Sequence, residues 1–495
     1  MTELFSPQPF LAPELNYHVQ LFIRTTYGVL LILTLLWALP QWKRFFLGER
    51  WGGYGQSVRS VEAVQNPVVM PIVLGLWLAC GAFIMTGVWS PWPAAVNYFL
   101  CRYFFISMRW NGLLRGMGAP GFVCYWAGMA LFFLEYSVAF APELRPLMLQ
   151  VLQADFAFIY LSSGYYKYSA GYPQNHGMEL GMVNPAWGYW WRLYKEMPPS
   201  HLLFKTLNHL AWSSQILAGL LMLIPATRFI GGSIIILMFL FIATQIRLGW
   251  LCETVIFCSG VIFFHPGSWG DQWIAAIVGP QTMPDHSSYP FAALVNEVLR
   301  ILLLGYLICL PLAHAGLSYN FYLKRVLPRP IQMLLETFTN FFGLIVWRVF
   351  SVDIVNFFAR ISVRPTAGGG SVLVSKYEVG DLRYFHVAES IVLSCLFNTR
   401  KYYSSNWSLF QDRMLRYSKT LPGAGDHLVI CEYVTVTKLE DRFEFKPVAE
   451  YVVNVPAQSV TERVLDSSVS VAAAHAVSPI HEGVRPGTYV PMGNR

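Results

Sequence analysis

The chain has 495 residues, 55% hydrophobic and 13% charged, with a formal net charge of +7. Soluble globular domains carry about 25% charged residues, so much of this surface is not built to face water and an integral membrane protein is the expected class. The basic residues are scattered rather than gathered on one stripe, and no DNA- or RNA-binding motif is visible, which argues against a nucleic-acid partner.

Residues 1–21 are polar, carry Glu3 and Glu14, and lack the basic n-region of a cleavable signal. They read as an extramembrane segment before a retained anchor. Apolar runs then follow at 22–40, 69–90, 95–108, 119–140, 146–166, 206–225, 229–246, 250–265 and 293–315, with an amphipathic stretch at about 331–350. A helix spans a bilayer with about 20 apolar residues, so the expectation is about nine spans within a helical domain over 22–350. Lys43, Arg44, Arg50 and Arg59 favour a cytoplasmic first loop, and counting forward puts Lys167 on the same side of a cell or inner membrane. The breakers Pro266, Gly267, Pro280 and Pro284 mark 266–292 as a loop.

The composition changes near Arg364. The run Pro365–Gly370 predicts a linker over 351–370. Beyond it, 371–377 alternates like a strand, 407–421 is an amphipathic helix, and 427–437 with 442–455 reads as a strand pair. A soluble α+β module over 371–466 is expected, followed by an Ala-, Ser- and Pro-rich disordered end over 467–495. The fold class is thus an all-α polytopic membrane bundle with a small C-terminal α+β module. The eight cysteines form no CxxC pair and lie mostly in apolar runs, so neither a zinc site nor a disulfide framework is expected.

The candidate chemistry gathers around Asp155–Trp191, where an apolar helix gives way to a loop rich in Gly and Trp. Lys167 sits at the border. A lysine there either snorkels and caps the helix or is a desolvated amine able to act as a base. Asp155 differs from it by about 120° around a helix and is not a direct partner, whereas Ser163, at i−4, shares its face. Arg102, Arg109 and Arg115 cluster across a short run. They fit a positive-inside flank or an anion, quinone-oxygen or headgroup site. Lys205–His209 and Asn208–Trp212 are i,i+4 pairs on the sixth run, and Gln245 ends the seventh. His176 and Glu179 lie in a loop broken by Pro173 and several glycines, which argues against a metal.

Ile159-Tyr-Leu-Ser-Ser-Gly-Tyr-Tyr-Lys-Tyr-Ser-Ala-Gly-Tyr172 resembles the transmembrane domain shared by vitamin K-dependent γ-glutamyl carboxylase and its bacterial relatives, the horizontally transferred transmembrane (HTTM) family. The likeness covers about residues 20–315 and includes 211–266 with its polar Gln245. It implies a carboxylase- or epoxidase-like lyase with a reduced quinone such as vitamin K hydroquinone as cofactor. Lys167 falls on the position of the family's proposed base. The carboxylase also has a histidine well upstream of its lysine. This sequence has none between His18 and His176 and carries Arg102–Arg115 in the matching neighbourhood. The resemblance therefore implies Lys167 as base and Arg102 or Arg109 as the oxyanion-stabilising group. Trp187 and Trp191 would shape a pocket for a lipophilic quinol, and His209 and Gln245 complete the candidate substrate-binding set.

Two other classes fit the sequence. One is a non-enzymatic scaffold or lipid-binding protein whose C-terminal module recruits a protein partner. The other is a transporter with Asp155, Glu135 and Arg102 along a path, against which stands the lack of visible inverted repeats.

Overall fold

The computed structural model describes residues 13–108, 118–284, 291–347, 352–366, 369–375, 378, 387–402, 407–421 and 426–466. The described chain is mostly helical and closes with one antiparallel sheet. Its main helices are α1 (Tyr17–Ala38), α2 (Val69–Thr86), α3 (Trp92–Cys101), α4 (Gly118–Phe140), α5 (Arg145–Ser169), α6 (Leu202–Leu223), α7 (Arg228–Gln245), α8 (Trp269–Val278), α9 (Ala292–Tyr322) and α10 (Arg329–Phe342).

Among the described residues five helices are long and apolar enough to cross a membrane: α1 with its continuation to Phe46, α2, α4, α7 and α9. This corrects the expected nine, and the reasons differ from run to run. The run 95–108 is only the ten-residue α3 plus a widened π-type turn, Arg102–Ser107. The run 250–265 breaks into α, π and 3-10 turns over Leu251–Phe263. α5 and α6 are long, at 25 and 22 residues. Their polar residues dilute the hydropathy: Gln153, Asp155, Ser163 and Lys167 on α5, and Lys205, Asn208, His209 and Gln215 on α6.

The apolar surface is extensive. α9 exposes Leu294, Val298, Ile301, Leu302, Ile308 and Leu312, and α7 exposes Ile230, Leu237 and Phe241. α10 is inverted relative to a water-facing helix. It buries Gln332 and Thr339 and exposes Ile331, Met333, Leu334 and Phe341. Its polar side is satisfied inward: Asn320 donates to Gln332 at 2.9 Å, and Gln332 donates to Glu336 at 2.7 Å.

The sheet has the order β2-β1-β3-β4-β5, with β1 at Phe357–Pro365, β2 at Val372–Leu373, β3 at His427–Lys438, β4 at Phe443–Asn454 and β5 at Ser459–Val464. Every neighbouring pair is antiparallel. β1 lies within 351–370, the stretch expected to be a linker, and occupies an interior place in the sheet. Strand side chains alternate between faces. Phe357 stacks on Tyr433 and meets Phe397 of α11 (Val387–Tyr402), while Phe358 packs on Phe445. α12 (Trp407–Lys419) covers the same face as α11 through Phe410. The expected tail 467–495 lies outside the described residues.

The other face of the sheet closes on the helical bundle. Phe445 meets Trp191, and Phe443 meets Phe204 of α6. Asn184 donates to the carbonyls of Val355 and Phe357 at 2.7 and 2.8 Å. Arg44, beyond the first helix, pairs with Glu389 at 2.7 Å, and Lys419 pairs with Glu49 at 3.0 Å. The C-terminal module is thus seated on the bundle through aromatic contacts and polar links, these among them.

Candidate functional site

Lys167 sits in the last turn of α5 and is 2% exposed, so it does not snorkel to a surface. Its ammonium nitrogen lies 3.0 Å from the Ser163 hydroxyl and 3.0 Å from Oε1 of Gln215 on α6. Among the described residues Lys167 makes no ion pair. A buried cation usually has a carboxylate close by. Here two neutral oxygens take that place.

Two glycines make this contact possible. A Cβ at Gly164 would meet the Ile216 amide nitrogen at 2.9 Å and the Trp212 carbonyl at 3.0 Å. A Cβ at Gly219 would meet Leu161 Cγ at 2.6 Å and the Ala157 carbonyl at 3.1 Å. The two helices therefore approach backbone to backbone, and that closeness brings the Gln215 amide within reach of the amine. Unused hydrogen-bond donors lie nearby in sequence. Tyr160, two turns before Lys167 on the same face, is fully buried, and among the described residues its hydroxyl has no hydrogen-bond partner. The Trp212 indole N–H, three residues before Gln215, is likewise buried and without a hydrogen-bond partner among them.

Asp155 serves a different contact. Its carboxylate accepts from Trp126 Nε1 at 2.8 Å and from the Tyr306 hydroxyl at 3.0 Å. The helical-phase argument that separated it from Lys167 agrees with this arrangement.

The remaining sequence-predicted residues do not gather around the amine. Arg102 is half-buried, donates to the Phe341 carbonyl, and lies 4.5 Å from the Phe341 ring centroid, so it ties the end of α3 to α10. Arg109 lies outside the described residues. Trp187 is buried, and its carbonyl accepts from the Arg247 amide at 2.8 Å. Trp191 packs on Phe445 of β4. His209 is exposed on α6. Gln245 accepts from the Tyr194 hydroxyl at 2.7 Å. Of the two tryptophans in the aromatic loop, Trp191 is thus engaged with the sheet.

Sequence reasoning missed Gln215 and undervalued Glu179. Gln215 follows Ser213-Ser214 and stands two turns after Asn208 on the same helix face, and that spacing was the available signal. Glu179 is fully buried. It accepts from Asn208 Nδ2 at 2.7 Å and from the Gly177 amide at 3.0 Å, and it pairs with Lys438 at the end of β3. It holds no metal cluster: among the described residues no group of three metal-ligating side chains occurs. His176, half-buried beside this pair, has its pKa lowered from the ordinary 6.5, first by burial and then by the Lys438 charge.

No family model matches this chain, and comparison with curated proteins and with solved structures gave no match.

Proposed function

We propose that the chain is a multi-pass integral membrane protein and, within that class, a membrane enzyme in which Lys167 acts as a base on a lipophilic quinol. The membrane part rests on the five apolar helices and on the outward apolar faces of α7, α9 and α10. Exposed apolar area of this extent is not maintained in water. It also rests on the spacing of charge along α5. Arg145 and Lys167 are separated by about 33 Å of helical rise, close to the thickness of a bilayer's hydrocarbon core.

The enzymatic part is carried by one observation: Lys167 is sealed inside the bundle and, among the described residues, held only by Ser163 and Gln215. Both partners are uncharged, so the amine can release or take a proton without leaving a buried counter-ion unpaired. A hydroxyl can donate to the free amine as readily as it accepts from the ammonium. An amine that changes protonation state at little cost to its surroundings is suited to general-base work. The unpaired Tyr160 hydroxyl and Trp212 indole N–H are donors for an oxyanion formed nearby. The stretch Ile159–Tyr172 keeps its resemblance to the vitamin K-dependent carboxylase-like family, and a reduced quinone is the cofactor class that this reading implies. The scaffold alternative has less behind it, because one face of the sheet is already occupied by the bundle.

The test is oxidation of a reduced menaquinone or vitamin K hydroquinone by dissolved dioxygen, the electron acceptor supplied in the assay, in the presence of the purified full-length protein in nanodiscs. Lys167→Met removes turnover while the variant still folds and inserts. Quinol oxidation at the wild-type rate in that variant overturns the assignment.

A further inference from the structure

We propose that Lys438 is a positioning residue for Lys167: paired with Glu179, it clamps both the loop that follows Lys167 and the face of α6 that carries Gln215. The inference deepens the reading of Lys167 as the reacting group. It makes the C-terminal sheet part of that site rather than an appendage.

The clamp has three layers. At its centre the Glu179 carboxylate is fully buried and meets the Lys438 ammonium, which also donates to the Asn175 carbonyl at 2.9 Å. Around it, Asn208 of α6 bonds the loop twice. Its side-chain oxygen accepts from the Met178 amide at 2.8 Å, and its amide donates to Glu179 at 2.7 Å. At the far end, Gln215 holds Lys167 at 3.0 Å. Asn208 and Gln215 are seven residues apart. They lie on one face of α6, about 10.5 Å from each other along its axis.

The loop is equally direct. Only Tyr168–Met178 separates Lys167 from Glu179, and within it Tyr172 is fully buried and Asn175 is gripped by Lys438. Sequence from both sides of the Lys167 amine therefore converges on one ion pair whose cation comes from the sheet. A buried carboxylate that loses its only salt-bridge partner must draw in water or move toward it. Either response opens the end of α5 at which Lys167 is sealed. Seating of the sheet thereby sets whether the amine is dry.

The test reads the amine itself and needs no substrate. The full-length protein in nanodiscs is treated with a small succinimidyl ester, and acetylation at Lys167 is followed by mass spectrometry. Labelling of the wild type is slow. Lys438→Met raises it about tenfold, the ratio that ~1.4 kcal/mol of opening free energy produces. Lys438→Arg, which keeps the cation, returns it toward the wild-type rate. Asn208→Ala leaves the ion pair and the sheet in place, cuts the link to α6, and also raises labelling. This variant keeps the test decisive if Lys438→Met sheds the sheet altogether. Unchanged Lys167 labelling in Asn208→Ala, or in Lys438→Met with increased hydrogen exchange over 171–183, overturns the proposal. Loss of quinol turnover with no change in labelling would leave the base assignment standing and the clamp refuted. A labelling change with Lys167→Met still active would do the reverse.

Discussion

The two ends of α5 treat a buried cation in opposite ways. At the N-terminal end Arg145 is 6% exposed and enclosed by acceptors: it donates to Gln20 at 2.6 Å, to Ser137 at 3.1 Å and to the Leu15 carbonyl at 3.1 Å. Gln20 passes the contact on to Glu135 at 2.7 Å, and Glu135 also takes Ser90 and, at 3.6 Å, Arg24. The carboxylate there reaches Arg145 at one remove, through Gln20, within a network. At the C-terminal end Lys167 is also buried and, among the described residues, meets only a hydroxyl and an amide oxygen, with no carboxylate behind them. A compensated network is what architecture requires of buried ions. An uncompensated amine asks for a second explanation, and proton transfer supplies one.

Three experiments sharpen or break this contrast. The largest effect is expected at the compensated end. Glu135→Ala strips Arg24 of its ion-pair partner and Gln20, the link to Arg145, of its acceptor, and should cost about 3–5 kcal/mol, the range for breaking a buried pair. Lys167→Met strands no charge and should change stability by about 1 kcal/mol, the cost of two neutral hydrogen bonds less the gain of an apolar side chain. Thermal unfolding in one detergent compares the two variants directly, and equal losses would erase the distinction between the ends. Next comes Gly164→Ala. Its methyl group meets the α6 backbone, so overpacking of about 1–3 kcal/mol is expected, together with faster acetylation of Lys167 as Gln215 withdraws.

The smallest effect is a pH dependence of sheet seating. His176 titrates below its ordinary 6.5 in the folded protein because burial and the Lys438 charge oppose its protonation, with Glu179 pulling the other way. The unfolded chain then binds the extra proton first. Stability at this joint is full above about pH 6.5 and falls as the pH drops through the interval down to the lowered value. Limited proteolysis of the joint across that window should show the loss, and His176→Asn should flatten it.

Much of the C-terminal module was legible in the chain. The helix expected at 407–421 is α12, and the expected strand pair is β3 with β4, because alternation and amphipathic phase are local properties. β1 was hidden by its Gly-rich sequel. Phe357 and Phe358 are both buried, each on a different face, so the strand shows no clean alternation. The span count failed for a related reason. Polar residues on α5 and α6 lower a hydropathy average even where they are buried and bonded inside the bundle, as Lys167, Gln215, Asp155 and Asn208 are.

Taken alone, the sequence determined the helical class, the charge-poor surface, the place of Lys167 at the end of an apolar helix, and its separation from Asp155. These follow from composition and helical phase, which need no neighbours. Only the tertiary structure decided that Lys167 is sealed rather than snorkelling, that Gln215 is its partner across the close contact made by Gly164, and that Trp191 packs on a sheet. Each depends on which helices touch and how closely, and a one-dimensional pattern carries no such distance. Glu179 shows the limit best: its partners Asn208 and Lys438 lie 29 and 259 residues along the chain, and only folding brings two such side chains to one carboxylate.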